Sequence, residues 1–196
     1  MDVATFRWLL TDDGQSLLAA ATEAEGTPSQ VQRRLRQRAE PEQVAAALGQ
    51  VELRRHAVAK LGADAAVMYF TRDGLEQATR TPVARHRASR IAFGGPSVVD
   101  LTCGIGGDLV ELARAGLTTA GVDLDPLRVE IARANLAALG LGGAVAVATR
   151  RSWTCRPSPR RTPIRPAGAD AAELSTPTTG RRRGPSSPPC SGAVPV

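Results

Sequence analysis

The sequence predicts an α/β chain: a helical N-terminal region, then an incomplete parallel sheet, then a disordered tail. Three observations carry this. Apolar residues recur at helical spacing up to about residue 92, then give way to short apolar runs set between glycines. From Ser97 these runs alternate strand, helix, strand, helix, strand, the order that yields parallel strands joined by crossover helices. After Ala148 the periodicity stops, and Arg, Pro, Ser and Thr dominate. The expected units are therefore 1–94, 95–148 and 149–196.

The elements follow in order. Leu9, Leu10, Leu17 and Leu18 sit at spacings compatible with one buried helix face. Thr27-Pro28-Ser29-Gln30 reads as a helix start: Thr caps, Pro tolerates the first turn, and Gln reaches back. From Glu42 to Leu61, the residues Val44, Ala47, Leu48, Val51, Val58 and Leu61 fall on roughly one face. Asp73-Gly74 is expected to break the chain after Val67-Met68-Tyr69-Phe70, and Thr81-Pro82 to cap a helix running to about Ile91. Gly94-Gly95-Pro96 marks the boundary. Beyond it, Val98–Leu101, Thr118–Val122 and Ala144–Ala148 are strand candidates. Asp108–Ala115 is an amphipathic helix with Leu109, Val110, Leu112 and Ala113 inward, stopped by Gly116. Asp125-Pro126 starts a second helix that reaches about Leu139.

Charge follows the same division. The 196 residues carry a net charge of +6, with 25 basic and 19 acidic side chains. Residues 1–148 hold 16 basic and 17 acidic ones, whereas residues 149–196 hold 9 Arg against Asp170 and Glu173. The basicity that would suggest a phosphate-binding protein thus belongs to the last quarter. Cys103, Cys155 and Cys190 have neither metal-ligand spacing nor the number for a disulfide framework, which suits a reducing cytoplasm. No apolar run is long enough for a membrane helix, and Met1-Asp2-Val3 does not open a signal peptide. His56 and His86, with no partner ligands, read as surface or packing residues, and the run Arg33, Arg34, Arg36, Arg38 as a solvated helix face.

The informative segment is Val98-Val99-Asp100-Leu101-Thr102-Cys103-Gly104-Ile105-Gly106-Gly107-Asp108. A glycine-rich turn between a first strand and a first helix lets backbone approach a ligand closely. The dinucleotide fingerprint would need a third glycine at position 109, which is Leu109, and this disfavours a nicotinamide enzyme. Asp123 follows Asp100 by 23 residues, at the end of the second strand. A carboxylate there can accept hydrogen bonds from both hydroxyls of a ribose. Cys103 reads as a small turn residue, since no histidine is near it in sequence.

An acid at the end of strand one followed by a glycine turn resembles motif I of class I S-adenosylmethionine-dependent methyltransferases. Val122-Asp123-Leu124-Asp125-Pro126, with Ala132, Asn135 and Leu136 on the next helix, resembles the trimethylguanosine synthase-like branch of RNA methyltransferases. Tyr69-Phe70-Thr71 and Val83-Ala84-Arg85-His86 resemble the helical segment preceding the catalytic domain there. The nearest likeness is to a bacterial group with a THUMP-like C-terminal domain, over roughly residues 40–148. The resemblance implies a Rossmann-like sheet, S-adenosyl-L-methionine as cofactor and RNA as acceptor. It assigns cofactor binding to Asp100, Thr102, Cys103, Gly104, Gly106, Gly107, Asp123 and Leu124, and no metal. The rival function is a nucleic-acid-binding protein that grips phosphate through its Arg/Pro tail.

The family's acceptor-orienting motif has no counterpart after Ala148, so no catalytic residue is assigned and the chain is expected to be inactive and marginally stable. The tail reads as a frame-shifted version of the missing half. If one base was lost after Ala148, each original codon joins the third base of one present codon to the first two of the next. Trp153-Thr154 then gives GAC, an aspartate, without freedom of choice, and Thr162–Ala167 can restore Ala-Asp-Pro-Ala-Arg.

Overall fold

A three-stranded parallel sheet, in the order β1 (Ser97–Asp100), β2 (Thr118–Asp123), β3 (Ala144–Val147), organises the second half of the computed structural model, which describes residues 1–149. The pairing places Asp100 opposite Gly121 and Asp123 opposite Val147, so the two acids close the same end of the sheet. Helix α7 (Gly107–Arg114) links β1 to β2, and α8 (Pro126–Ala138) links β2 to β3. Their apolar stripes, Leu109, Val110 and Leu112 with Val129, Ala132 and Leu136, pack with Val145 of β3. Asp125 caps α8 by accepting a hydrogen bond from the Leu127 amide at 2.8 Å. The tail from residue 150 onward, with its expected disorder and its shifted frame, lies outside the described residues.

Ahead of the sheet stand α1 (Val3–Leu9), α2 (Asp12–Thr22), α3 (Pro28–Leu35), α4 (Pro41–Leu61), a 3-10 turn (Gly62–Ala66), α5 (Arg72–Gln77) and α6 (Thr81–Ala92). Thr27 and Gln30 form the expected reciprocal capping pair at the start of α3. Four details differ from the sequence expectations. The leucines of residues 9–18 fall on two helices, because Thr11 caps α2 and turns the chain, leaving Leu10 exposed. Val58 faces solvent on α4. Asp73-Gly74 is not a break but the first turn of α5, capped by Thr71. Arg80, not Thr81, occupies the capping position of α6, and it makes no side-chain cap.

Packing ignores the boundary at residue 94. One apolar cluster runs from Phe6, Leu9 and Val44 through Phe70 to Ile105 and Ile131, and a second joins Ala88 of α6 to α7 and α8. Glu111 of α7, where only apolar residues were expected to turn inward, is buried, and Arg85 and Arg114 pair with its two oxygens at 3.1 and 2.8 Å. Arg114 also grips Asp64 in the 3-10 turn, and it holds that carboxyl below the usual range. No helix among the described residues is long and apolar enough to cross a membrane.

Candidate functional site

The ends of β1 and β2 open into a cavity of about 600 Å³. Its floor is the turn between β1 and α7, which backbone bonds hold in place. The Cys103 amide donates to the Val122 carbonyl at 3.0 Å, and the Gly106 amide to the Cys103 carbonyl at 2.9 Å. Gly104 (φ +54°) and Gly106 (φ +85°) take left-handed conformations that other residues adopt only at a cost. Their roles diverge. A Cβ on Gly104 or on Gly107 would meet no protein atom within 4 Å, and both residues line the cavity. A Cβ on Gly106 would lie 3.2 Å from the Ala132 Cβ, so Gly106 lets the turn rest on α8 and does not line the cavity.

Six of the eight residues singled out in the sequence line this cavity: Thr102, Cys103, Gly104, Gly107, Asp123 and Leu124. Asp123 presents a carboxylate whose Oδ2 accepts the Gly104 amide at 3.0 Å and whose Oδ1 accepts the Asp125 amide at 3.0 Å. Each oxygen keeps a further lone pair for a ligand donor. Asp100 stands behind the wall, where its Oδ1 accepts the Thr102 amide at 2.9 Å. Burial pushes the Asp100 carboxyl up, the Thr102 bond opposes this, and the nearby Asp108 charge adds to the rise. The Cys103 thiol is pushed up to about 12, first by burial and then by Asp100 and Asp123, which disfavours the thiolate that a nucleophile requires. Leu124 is 68% exposed and offers an apolar surface at the rim.

The opposite wall comes from the helical region. Gly74, Gln77, Ala78 and Thr79 line the cavity, joined by Arg128 of α8. The Thr79 hydroxyl donates to Asp108 Oδ2 at 2.9 Å, and Arg87 pairs with Asp108 Oδ1 at 2.8 Å, which ties this segment to the first turn of α7. A Cβ on Gly74 would come within 2.5 Å of Ile105 Cγ2, so that glycine serves close packing on the turn. These residues carry no sequence signal beyond an isolated glycine. Among the described residues no group of three His, Cys, Asp or Glu side chains could hold a metal ion.

The chain is similar to several known proteins. A family described as a domain of unknown function (DUF8688) matches residues 2–57. Relatives from two strains of Mycobacterium tuberculosis, each described as an uncharacterized S-adenosylmethionine-dependent methyltransferase, are 47% identical over 94 residues. The match takes in 45% of this chain and 26% of each relative, so it spans about a quarter of their length. A crystal structure assigned as a methyltransferase from Porphyromonas gingivalis is 25% identical and superposes on 77% of this chain and 37% of its own, with a TM-score of 0.51. The chain has methyltransferase homologues and a methyltransferase-like fold.

Proposed function

We propose that this chain binds S-adenosyl-L-methionine in the cavity at the ends of β1 and β2, as the cofactor-holding half of an RNA methyltransferase. The carrying observation is the empty space beside Gly104 and Gly107 facing the unfilled lone pairs of Asp123. The residues present fit the group. Asp123 would accept the two ribose hydroxyls, and Leu124 would lie against the base. Thr102, Gly104 and Gly107 would line the amino-acid end, with Asp100 fixing the Thr102 amide from behind. Bound, the cofactor supplies a methyl group made electrophilic by its sulfonium. The chain's own part is to orient it.

RNA as the acceptor rests on the resemblance of residues 122–136 and 69–86 to the RNA-modifying branch. No residue among those described is assigned to hold an acceptor, so the reading includes that these 196 residues bind cofactor without turnover. The same reading puts the protein in the cytoplasm.

Calorimetry with S-adenosylhomocysteine and with NAD tests the central point. Binding of the first and not the second is expected; the reverse overturns the reading. The gene's DNA tests the rest. One base inserted after the Ala148 codon is expected to open a long frame, and the restored product is expected to label RNA from labelled S-adenosylmethionine. A closed frame, label on protein alone, or turnover by the present chain would each contradict it.

A further inference from the structure

One side chain meets the candidate site from outside the cavity. Asn135 on α8 is fully buried and sits at a three-way junction. Its Nδ2 donates to the Ile105 carbonyl, within the glycine turn, at 2.8 Å and to the Tyr69 carbonyl at 3.1 Å. Its Oδ1 accepts the Tyr69 amide at 2.7 Å. The carboxamide therefore uses both donors and its acceptor on backbone groups of two other elements. One turn earlier on the same helix, Ala132 abuts Gly106. The back of the turn is thus seated on α8 at two successive points, and one of those points also grips the helical region.

Gln50 supplies a natural control. Its Nε2 donates to the Phe70 carbonyl at 2.7 Å and its Oε1 accepts the Phe70 amide at 2.9 Å. It is nearly as buried as Asn135 and bonds the backbone through one donor and its acceptor, yet neither of these bonds goes to the glycine turn. The two carboxamides bond the backbone of adjacent residues, Tyr69 and Phe70, and only one of them reaches the turn.

We infer that Asn135 is a positioning residue for the glycine turn, setting where Gly104 and Gly107 stand in the cavity and so governing affinity for the ligand held there. This rests on the cofactor reading for its ligand, but not for its geometry. A buried amide group left without partners costs far more than its bond contributes when made, so the turn has no cheap alternative to this seat. Exchanging the carboxamide for a carboxylate removes both donors and sets negative charge against the Ile105 and Tyr69 carbonyls.

The experiment uses the full chain and its Asn135→Asp, Asn135→Ala and Gln50→Leu variants. Each is titrated with S-adenosylhomocysteine, and amide exchange is followed by NMR at residues 104–107. Both Asn135 variants should weaken binding by about tenfold or more and speed exchange in the turn, as expected for a lost bond to a buried carbonyl. Gln50→Leu should lower the melting temperature comparably while leaving affinity and turn exchange within about twofold of the original. Equal loss of affinity in all the variants, or folded Asn135 variants with unaltered binding and exchange, overturns the inference. If the unaltered chain does not bind S-adenosylhomocysteine, the functional reading fails, while turn exchange still decides the role of Asn135. If neither Asn135 variant folds, exchange in the unaltered chain decides. Tyr69 and the turn should then open as one unit, and independent opening overturns the inference.

Discussion

The helical region and the sheet are built to different standards of completion. Phe6, Leu9, Val44, Ala47, Ala57 and Phe70 have no exposed surface, whereas all four residues of β1 are only half-buried and Val147 of β3 is 53% exposed. Parallel sheets are ordinarily covered on both faces, and here both crossover helices come from a single pair of β–α–β units. The helices finish their own core and lend part of it to the turn through Ile105. The difference teaches that the candidate site draws its order from both sides: β2 and α8 bond and seat the turn, and the helical core packs against it through Ile105.

The largest effect expected is from Phe70→Ala, in the core shared by the two regions. Emptying a fully buried phenylalanine costs about 3–5 kcal/mol. Urea unfolding should show one shifted transition reported alike by both regions; two separate transitions would break the comparison. Next is Asp123→Ala, which should weaken S-adenosylhomocysteine binding by about 10–100-fold, the worth of hydrogen bonds to a charged acceptor. A stability loss without an affinity loss would move Asp123 into the scaffold. Arg114→Met removes one partner of buried Glu111 and should cost about 1–3 kcal/mol by denaturant titration. It also carries a pH signature. Arg114 lowers the Asp64 carboxyl, so this stabilisation is present at neutral pH and fades as pH falls through the carboxylate range. The gap between original and variant should therefore narrow in acid; a constant gap would assign the cost to packing alone.

The smallest effect is from Asp100→Asn. Burial raises the Asp100 carboxyl, so its charge opposes folding at neutral pH and is relieved on protonation. The variant keeps an acceptor for the Thr102 amide. Its melting temperature at pH 7 should be equal or slightly higher, with the difference vanishing in acid. A clear loss of stability would show that the ionised form is needed to hold the turn.

The sheet end of this site was open to reading because its chemistry is local. A strand, an acid, a glycine turn and a second acid are contiguous features, and Asp123, Gly104 and Gly107 met as their spacing implied. Gly106 belonged to the same motif, yet its role depends on Ala132, 26 residues away, and spacing does not reveal that. The far wall was invisible for the same reason. Gln77 and Thr79 are unremarkable polar residues until α5 folds over the turn, and Gly74 looked like a break because close packing and a turn use the same residue. Asn135 stood out only through the family likeness; its bonds to residues 69 and 105 are long-range and leave no periodic trace.

The paired carboxamides have a consequence for modular inheritance. The family match at 2–57 ends inside α4 and includes Gln50, whose partner Phe70 lies beyond it. Replacing that N-terminal module with another bundle would strand the Phe70 amide and carbonyl in an apolar interior, at roughly 1–3 kcal/mol for each unmet group. Gln50 thus ties the matched helical stretch to the segment that follows it, so exchanging one without the other carries a stability cost.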